Sequence, residues 1–252
     1  MSPARSDFLL AVEGLTVSFD GFKAVDDLSF YVDRGEIRVI IGPNGAGKTT
    51  VLDLICGRTK ATSGSIKFKD RELTKLREHE IVRAGVGRKF QTPSVYDDLT
   101  VFENLEISFP RGRSVFGALS FERDKVVVDR VHEIAEMIFL SDHIDKHAEF
   151  LSHGQRQWLE IGMLLIQDPE LLMLDEPVAG MSVSEREKTA ELLNRIIGVS
   201  SGRSLVVIEH DMKFVENIAN RVTVLHQGKV LAEGNMAAIK ENPKVVEVYL
   251  GH

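Results

Sequence analysis

The sequence contains the stretch Gly42-Pro43-Asn44-Gly45-Ala46-Gly47-Lys48-Thr49-Thr50, which matches the pattern G-x-x-x-x-G-K-[ST] of a phosphate-binding loop. A short β-branched run, Ile37–Ile41, precedes the stretch and predicts a buried strand. The residues that follow it, up to Cys56, have helical spacing. A glycine-rich loop between a strand and a helix is the context in which this pattern binds phosphate. A glycine turn that merely caps a helix does not account for the whole pattern.

Each residue type in this loop suits phosphate chemistry. Gly45 and Gly47 allow the backbone to turn tightly and to bring its N–H groups up to phosphate oxygens. The start of the next helix adds free N–H donors and a positive dipole end. Lys48 supplies a compact positive charge for the β- and γ-phosphates, and the Thr49 hydroxyl is placed to ligate Mg²⁺. We therefore predict that the whole stretch binds a nucleotide: Gly42, Pro43, Asn44, Gly45, Ala46, Gly47, Lys48, Thr49 and Thr50.

The composition limits the class of protein. A chain of 252 residues with 43% hydrophobic residues can build one large domain or two small ones. A net charge of −7 argues against non-specific binding to nucleic acid. The only cysteine, Cys56, excludes an internal disulfide and suits a reducing compartment. No apolar run reaches the roughly 18–20 residues that cross a bilayer, and residues 1–7 lack the apolar core of a signal peptide. We expect a cytosolic chain that reaches a membrane only through its partners.

Strand and helix patterns divide the chain. Residues 8–41 are rich in strand patterns, residues 64–70 predict a further strand, and residues 76–84 predict a helix. From about residue 91 to 167 helical patterns dominate, which indicates a helical insertion within an α/β core. The core resumes with two apolar runs, Leu171–Leu174 and Ser204–Ile208, as buried parallel strands require. Ser182 and Glu185 have the spacing of a capping box that starts a helix to about Ile197, and a hairpin around Gln227-Gly228 completes the pattern.

Acidic and basic side chains follow the two late apolar runs. Asp175 and Glu176 end the first run, and the carboxyl ends of strands are where ligands bind in open α/β sheets. Asp175 suits the role of holding Mg²⁺, and Glu176 suits a general base that polarises the attacking water. His210, after the second run, could reach the γ-phosphate and the water. The alternatives are a solvated acidic turn and, for His210, a structural histidine.

A second candidate anion site begins at Ser152. Ser152 and Gln155 have the spacing of a capping box at the start of a helix over residues 156–167. The simple interpretation is a capped helix. The functional interpretation is an anion site built from the helix N-terminus, the Ser152 hydroxyl and the Gly154 backbone.

In order and spacing these motifs resemble those of the ATP-binding subunits of ABC transporters, over essentially the whole chain. The resemblance rests on Gly42–Thr50, Gln91, Leu151–Gln155, Leu171–Glu176 and His210. It implies one ABC ATPase domain over residues 1–252. Its RecA-like phosphate-loop α/β core would occupy residues 1–90 and 168–252, with an antiparallel N-terminal β portion. Residues 91–167 would form the inserted helical subdomain with the signature motif.

The resemblance also assigns roles to single residues. Gln91 would be the glutamine that joins the metal site to the transmembrane partner, and His210 the switch histidine. Phe19 matches the aromatic residue that stacks on adenine, with Phe22 as a weaker candidate; a core phenylalanine is the alternative for both. The cofactors implied are ATP and Mg²⁺, with Thr49, Gln91 and Asp175 at the metal and Glu176, His210 and Gln91 in catalysis.

Two stretches narrow the resemblance to the importers of branched-chain amino acids and amides. They are Arg88–Pro93 and the tail Val245–Gly251. Leu151–Met163 looks most like the ATP-binding subunit of urea transporters, which predicts urea as the solute and leaves branched-chain amino acids as the alternative. None of these residues is expected to touch the solute.

The chain departs from the family pattern at two places. His153 stands where the usual signature has glycine, and a histidine with positive φ there would cost about 1 kcal/mol or more. The stretch Ala179-Gly180-Met181-Ser182 stands where many relatives end in aspartate. A cross-subunit contact through that carboxylate is therefore not expected to carry over.

The resemblance implies an importer subunit that works in pairs. Two ATP-binding subunits, identical or sister chains, would face head to tail, each ATP lying between one phosphate loop and the other copy's Ser152, Gly154 and Gln155. The further partners would be membrane permease subunits and, indirectly, a periplasmic or extracellular solute-binding protein, with the chain on the cytoplasmic face of the membrane and no nucleic acid bound. A soluble ABC ATPase without a transporter and a regulator that barely hydrolyses ATP are the other classes considered.

Overall fold

The computed structural model of the protein describes residues 8–89, 95–110, 125–199 and 202–250. The chain forms two compact units. The first comprises Met1–Arg88, Glu170–Pro177 and Ile196–His252, and the second comprises Lys89–Pro169 and Val178–Arg195.

The described residues form two β-sheets. In chain order the strands are β1 (Leu10–Phe19), β2 (Phe22–Val32), β3 (Ile37–Ile41), β4 (Ser63–Phe68), β5 (Arg71–Glu72), β6 (Val86–Lys89), β7 (Leu171–Asp175), β8 (Ser204–Ile208), β9 (Arg221–His226) and β10 (Lys229–Gly234). The smaller sheet has the order β2-β1-β4-β5 with antiparallel pairs. The larger sheet has the order β10-β9-β3-β8-β7-β6.

The centre of the larger sheet explains the apolar runs in the sequence. Every residue of β3, β7 and β8 is buried. These strands run parallel to one another, and β9 also runs parallel to β3. Parallel strands are covered on both faces and are therefore apolar without alternation. Because their carboxyl ends meet at one edge of the sheet, the residues that follow β3, β7 and β8 come together there.

The smaller sheet packs its apolar face into the same core as β3. Buried residues of β1, such as Leu10, Val12 and Val17, alternate with partly exposed ones, as expected for a strand with one covered face. The predicted fold class, a phosphate-loop α/β core with an antiparallel β portion and a helical subdomain, is confirmed.

The helices begin close to the predicted positions. In chain order they are α1 (Lys48–Ile55), α2 (Glu78–Arg83), α3 (Val101–Ser108), α4 (Lys125–Met137), α5 (His153–Leu165), α6 (Val183–Val199), α7 (Met212–Ile218), α8 (Met236–Glu241) and α9 (Pro243–Val245), and Val246–Leu250 forms a turn of π-helix. The helix predicted over 76–84 begins two residues later, because Leu76 and Arg77 have extended backbones and Arg77 is the N-cap of α2. Among the described residues no helix combines the length and the apolar character needed to cross a membrane.

The sequence pattern missed one strand of the larger sheet. All four residues of β6 are buried, although Arg88 and Lys89 are cations. Arg88 pairs with Asp53 at 2.6 Å, and Lys89 pairs with Glu160 at 3.1 Å. Buried cations are tolerated where acidic partners meet them, and those partners are distant in sequence.

Residues 178–195 lie in a different unit from the predicted one. The sequence pattern predicts that they belong to the α/β core, and by their contacts they group with Lys89–Pro169. Trp158 of α5 is buried and its Nε1 donates to Thr189 Oγ1 of α6 at 2.9 Å, so the first turns of α6 pack against α5. The helical unit therefore contains a second chain segment that its own sequence pattern does not reveal.

Candidate functional site: a phosphate loop and a row of strand-end acids

The phosphate loop has a backbone conformation that only glycine can adopt at two positions. Gly47 has φ +96°, and a Cβ there would lie 2.4 Å from the Ala24 carbonyl oxygen. A Cβ on Gly42 would lie 2.3 Å from the Leu225 carbonyl oxygen. The Gly228 N–H donates to the Ala46 carbonyl at 3.1 Å. The loop is thus held between β2 and the β9–β10 hairpin, which fixes its path before the first turn of α1.

Lys48 is the first residue of α1 and its ammonium turns back over the loop. Its Nζ donates to the carbonyl oxygens of Gly42 at 2.8 Å and Pro43 at 3.1 Å. Burial lowers the pKa of Lys48, and the carboxylates of Glu176 and Asp175 act in the opposite direction. The sheet edge therefore places a cation of the loop within the electrostatic reach of both strand-end acids.

Asp175 has the features of a metal ligand. It ends β7, its side chain is 1% exposed, and within the described part of the chain neither carboxylate oxygen has a hydrogen-bond partner. Burial raises the pKa of Asp175, while the Arg88 guanidinium, 3.7 Å away, and the Thr49 hydroxyl lower it. Buried oxygens without partners are uncommon in proteins, and a carboxylate beside a hydroxyl is a donor set that suits Mg²⁺. The residues present fit the predicted metal.

Asp175→Asn should make the nucleotide-free protein more stable at neutral pH while weakening Mg²⁺ binding about 10-fold or more. In the folded protein the pKa of Asp175 lies above its ordinary value of 3.8, so the folded state holds the proton more tightly. The stability that this proton contributes is complete below the ordinary value and is lost as the pH rises through the raised pKa. Asparagine carries no charge that burial can penalise.

Thermal unfolding of Asp175→Asn at pH 7 and pH 4 checks this expectation, with the exposed Asp142→Asn as the matched control. The increase in thermal stability of Asp175→Asn over the unmodified chain should be larger at pH 7 than at pH 4. An Asp175→Asn protein less stable than the unmodified chain at pH 7 would show that the carboxylate is compensated in the folded state.

Glu176 and His210 face each other beyond the strand ends. Glu176 has φ +48°, which non-glycine residues seldom adopt, and its N–H donates to the Ile208 carbonyl at 3.0 Å. Glu176 Oε1 lies 3.7 Å from His210 Nδ1, and the two side chains are 36% and 62% exposed. A half-exposed carboxylate beside an imidazole can accept a proton from a water molecule and orient that water.

The two acidic neighbours of His210 anchor the turn that carries it. Its N–H donates to Glu209 Oε2 at 3.1 Å, and the Glu209 side chain is buried. Asp211 caps α7, since its Oδ1 accepts from the Phe214 N–H at 3.0 Å. The imidazole therefore projects from a well-anchored turn.

The second candidate site lies in the helical unit, at the N-terminus of α5. The predicted capping box is present: Ser152 Oγ accepts from the Gln155 N–H at 3.2 Å, and Gln155 Oε1 accepts from the Ser152 N–H at 2.9 Å. His153 is the first residue of α5 and does not have a positive φ, so the strain considered for it is absent. Its Nε2 instead lies 3.0 Å from the Ala179 carbonyl oxygen.

The second departure from the family pattern has a local role. Ser182, which stands in place of the aspartate, caps α6: its Oγ accepts from the Glu185 N–H at 3.3 Å, and its own N–H donates to Glu185 Oε2 at 2.9 Å. The capping box predicted at Ser182 is therefore present, and serine takes over the capping function that an aspartate can also perform.

Comparison with known proteins identifies the family. The family model "ABC transporter" matches residues 25–179, which is more than half of the chain and includes the phosphate loop, the start of α5 and the strand-end acids. The chain belongs to the ABC transporter family. A second model, "Branched-chain amino acid ATP-binding cassette transporter", matches residues 229–252 of this ABC protein.

Curated relatives of similar length place the chain within the family. The high-affinity branched-chain amino acid transport ATP-binding protein LivG of Salmonella typhimurium is 38% identical over 250 residues, covering 96% of this chain and 98% of the relative. The probable LivG protein of Archaeoglobus fulgidus is 36% identical over 252 residues, covering 96% and 95%. The chain is an ABC ATP-binding protein of this branched-chain amino acid group.

Solved structures support the same assignment. The ATP-binding cassette MJ1267 in its ADP conformation aligns with a TM-score of 0.85 and 32% identity, covering 97% of this chain and 99% of that one. A nucleotide-free ATP-binding cassette from an ABC transporter aligns with a TM-score of 0.83 and 32% identity, covering 97% and 100%. As a member of this family the chain binds ATP with Mg²⁺ and hydrolyses it.

The predicted site residues are divided between the two units. The phosphate loop, Asp175, Glu176 and His210 all belong to the first unit, and Ser152, Gly154 and Gln155 belong to the second. Phe19 and Phe22 are 49% and 67% exposed and pair across the turn at Asp20-Gly21, so neither is a core phenylalanine. Gln91 lies outside the described residues.

Sequence reasoning missed the side chains that surround the predicted ones. Arg88 Nη1 donates to Asp53 and to the Cys56 sulfur, at 2.6 and 3.2 Å, while its Nη2 lies 3.7 Å from Asp175. Glu185 accepts from Ser152 Oγ at 3.1 Å. The two cations that end the stretch Val86–Lys89 could have indicated buried acidic partners. The sequence does not show which acidic residues those partners are.

Proposed function

We propose that this ABC protein powers the import of branched-chain amino acids. The observation that carries the proposal is the likeness to LivG proteins over 96% of the chain, with the further match at residues 229–252. It favours the solute that the sequence analysis kept as the alternative. Urea remains the second candidate solute. It is favoured by the resemblance of the stretch Leu151–Met163, including His153, to the ATP-binding subunits of urea transporters.

The chain would work on the cytoplasmic face of the membrane beneath permease subunits, paired with a second ATP-binding subunit that is either identical or a sister chain. A solute-binding protein outside the membrane would deliver the solute. Gln91, which follows β6 by two residues, would pass the motion of the pair to the permease. Asn44 and Gly45 of the phosphate loop are exposed, which leaves this part of the loop open to a second chain.

The signature helix would complete each nucleotide site in trans. An N-terminus of a 13-residue helix with a serine cap offers a hydroxyl and backbone N–H groups to an anion. Ser152, Gly154 and Gln155 of one copy would meet the nucleotide bound by the phosphate loop of the other. Binding would close the pair, and hydrolysis and release would open it.

In the hydrolytic step Glu176 acts as the general base. Its carboxylate takes the proton of the attacking water. His210, 3.7 Å away, orients the water toward the Glu176 carboxylate. Lys48 would neutralise the charge that develops on the leaving oxygens, and Thr49 and Asp175 would hold Mg²⁺. The metal supplies neutralisation of phosphate charge when bound. Phe19 would stack on the adenine.

Isolation of the tagged chain from its native membranes with Mg·ATP tests the assignment. We expect permease subunits and an ATP-binding partner to co-purify, and the reconstituted complex to hydrolyse ATP faster with its binding protein and leucine, isoleucine or valine. Stimulation by urea alone would keep the mechanism and change the solute. Recovery of ribosomes or DNA-repair proteins without membrane subunits would contradict the transporter assignment.

Ser152→Ala should lower the turnover of the assembled ATPase about 10²-fold while the nucleotide affinity of the monomer changes little. The hydroxyl is one donor of the trans site, and loss of a single such donor has an effect of this size. The measurement pairs steady-state hydrolysis with ATP binding to the dilute monomer, and Ser141→Ala, on an exposed turn of the same unit, is the control. A large loss of affinity in the monomer would place the serine in the cis site.

A further inference from the structure

A single carboxylate, that of Glu185, bridges the N-termini of two helices. Its Oε2 accepts from the Ser182 N–H at 2.9 Å and from the Ser182 hydroxyl at 2.8 Å, at the start of α6. Its Oε1 accepts from the Ser152 hydroxyl at 3.1 Å, at the start of α5. The hydrogen bonds from Ser182, supported by those from Ser152 and Gly154, lower the pKa of Glu185, so the bridging group is an anion.

The carboxylate also occupies the space over the first turn of α5. A Cβ on Gly154 would lie 2.4 Å from Glu185 Oε1, so the oxygen rests against the Gly154 Cα. Both N-terminal dipole ends are positive, and a negative charge between them is favourable. Glu185 therefore holds the place at α5 that an anionic ligand would take.

The Ser152 hydroxyl has one proton to donate. A serine side chain carries a single O–H donor, while its oxygen can accept as well. Here the oxygen accepts from the Gln155 N–H, and the proton goes to Glu185. The hydroxyl cannot donate to a phosphate oxygen until Glu185 releases it.

We propose that Glu185 is a built-in competitor of the nucleotide phosphate at the α5 N-terminus and so sets the ATP concentration at which two ATP-binding subunits close. The inference rests on the proposed function, in which Ser152 and Gly154 meet the partner's nucleotide. Closure requires Glu185 to give up its bond to Ser152, and it can do so while keeping both bonds to Ser182. Glu185 is thus a positioning residue that acts through Ser152.

Glu185→Gln tests the competition. Glutamine has the same length and preserves a capping box, so the fold of α6 should survive, while its neutral oxygen competes more weakly than a carboxylate for the Ser152 proton. We expect the Mg·ATP-dependent dimer of the chain carrying Glu176→Gln to have a dissociation constant about tenfold lower when Glu185→Gln is added. Glu187→Gln, the same change on an exposed position of α6, should leave the constant unaltered.

Sedimentation of the three proteins with Mg·ATP decides the matter. A constant for Glu185→Gln within twofold of its parent, or a weaker dimer, overturns the inference. Monomer affinity for ATP should stay the same, because Glu185 lies in the trans site. If Glu185→Gln fails to fold, Glu185→Ala, which removes the competing oxygens entirely, should tighten the dimer at least as much.

Failure of the proposed pairing gives a different result. If the chain carrying Glu176→Gln stays monomeric with Mg·ATP, pairing with an identical copy is wrong. The complex purified from membranes then decides about Glu185: the ATP concentration for half-maximal hydrolysis should fall about tenfold in Glu185→Gln and stay unchanged in Glu187→Gln. An equal value in both variants overturns the competition while leaving the transporter assignment intact.

Discussion

Glu176→Gln should slow ATP hydrolysis by about 10²–10⁴-fold and leave the affinity for Mg·ATP near that of the unmodified chain. Glutamine keeps the size of the side chain and its hydrogen-bonding oxygen, but it cannot take the proton of the attacking water. The carboxylate lies beyond the end of β7, 3.7 Å from His210. Its charge acts on Lys48, but the Lys48 ammonium is held by the Gly42 and Pro43 carbonyls, so we expect the phosphate loop to keep its conformation. Single-turnover hydrolysis and equilibrium nucleotide binding, measured on the same preparation, separate the two effects.

The control for this experiment is Glu191→Gln, which makes the same chemical change on an exposed position of α6. It should hydrolyse ATP at the unmodified rate. A hydrolysis rate of Glu176→Gln within threefold of the unmodified chain would remove Glu176 from the role of general base. Loss of ATP binding would instead show that the carboxylate supports the phosphate loop.

Arg38→Met should reduce the free energy of unfolding by about 3–5 kcal/mol, a large share of the roughly 5–15 kcal/mol typical of a domain. The Arg38 side chain is fully buried in β3 and forms ion pairs with Glu36 at 2.8 Å and Glu233 at 2.9 Å. It also donates to Thr223 Oγ1 at 3.1 Å and to the Tyr31 carbonyl. Methionine fills the space but leaves the buried Glu36 carboxylate without its counter-charge and leaves Glu233 only the partly exposed Arg221.

Urea denaturation measures the free energy of unfolding of Arg38→Met, with Arg221→Ala as the control. Arg221 contacts the same Glu233 at 3.5 Å, but its side chain is 45% exposed. Exposed ion pairs contribute about 0–1 kcal/mol, so Arg221→Ala should change stability little. A loss below about 1 kcal/mol for Arg38→Met would mean that Glu36 and Glu233 find other partners or water once the arginine is gone.

These two predictions draw on different kinds of information. Glu176 was found from its neighbours in the sequence, since an acid directly after a buried apolar run lies at a strand end. Arg38 stands inside the run Ile37–Ile41, which predicts a buried strand and correctly places β3. Nothing in that run shows that Glu233, near the end of β10, supplies the charge that makes a buried arginine tolerable.

The same distinction, between local sequence patterns and contacts of distant residues, applies in the helical unit. The capping boxes at Ser152 and Ser182 each join residues three positions apart, and both are present. The sequence pattern could not place residues 178–195 beside α5, because the contact between Trp158 and Thr189 joins residues 31 positions apart. The bond between Ser152 and Glu185, 33 positions apart, was invisible for the same reason.

The sequence by itself determined the chemistry-bearing loop, the buried central strands, the helix starts and the family. Each of these depends on patterns within a few residues: glycine spacing, runs of apolar residues, and a hydroxyl three residues before an acid or amide. Only the tertiary structure decided which distant charges meet. It paired Arg88 with Asp53, buried the Asp175 oxygens without a hydrogen bond among the described residues, and brought Glu185 onto the Ser152 hydroxyl. Burial makes such pairings obligatory, but strand order and helix packing choose the partners.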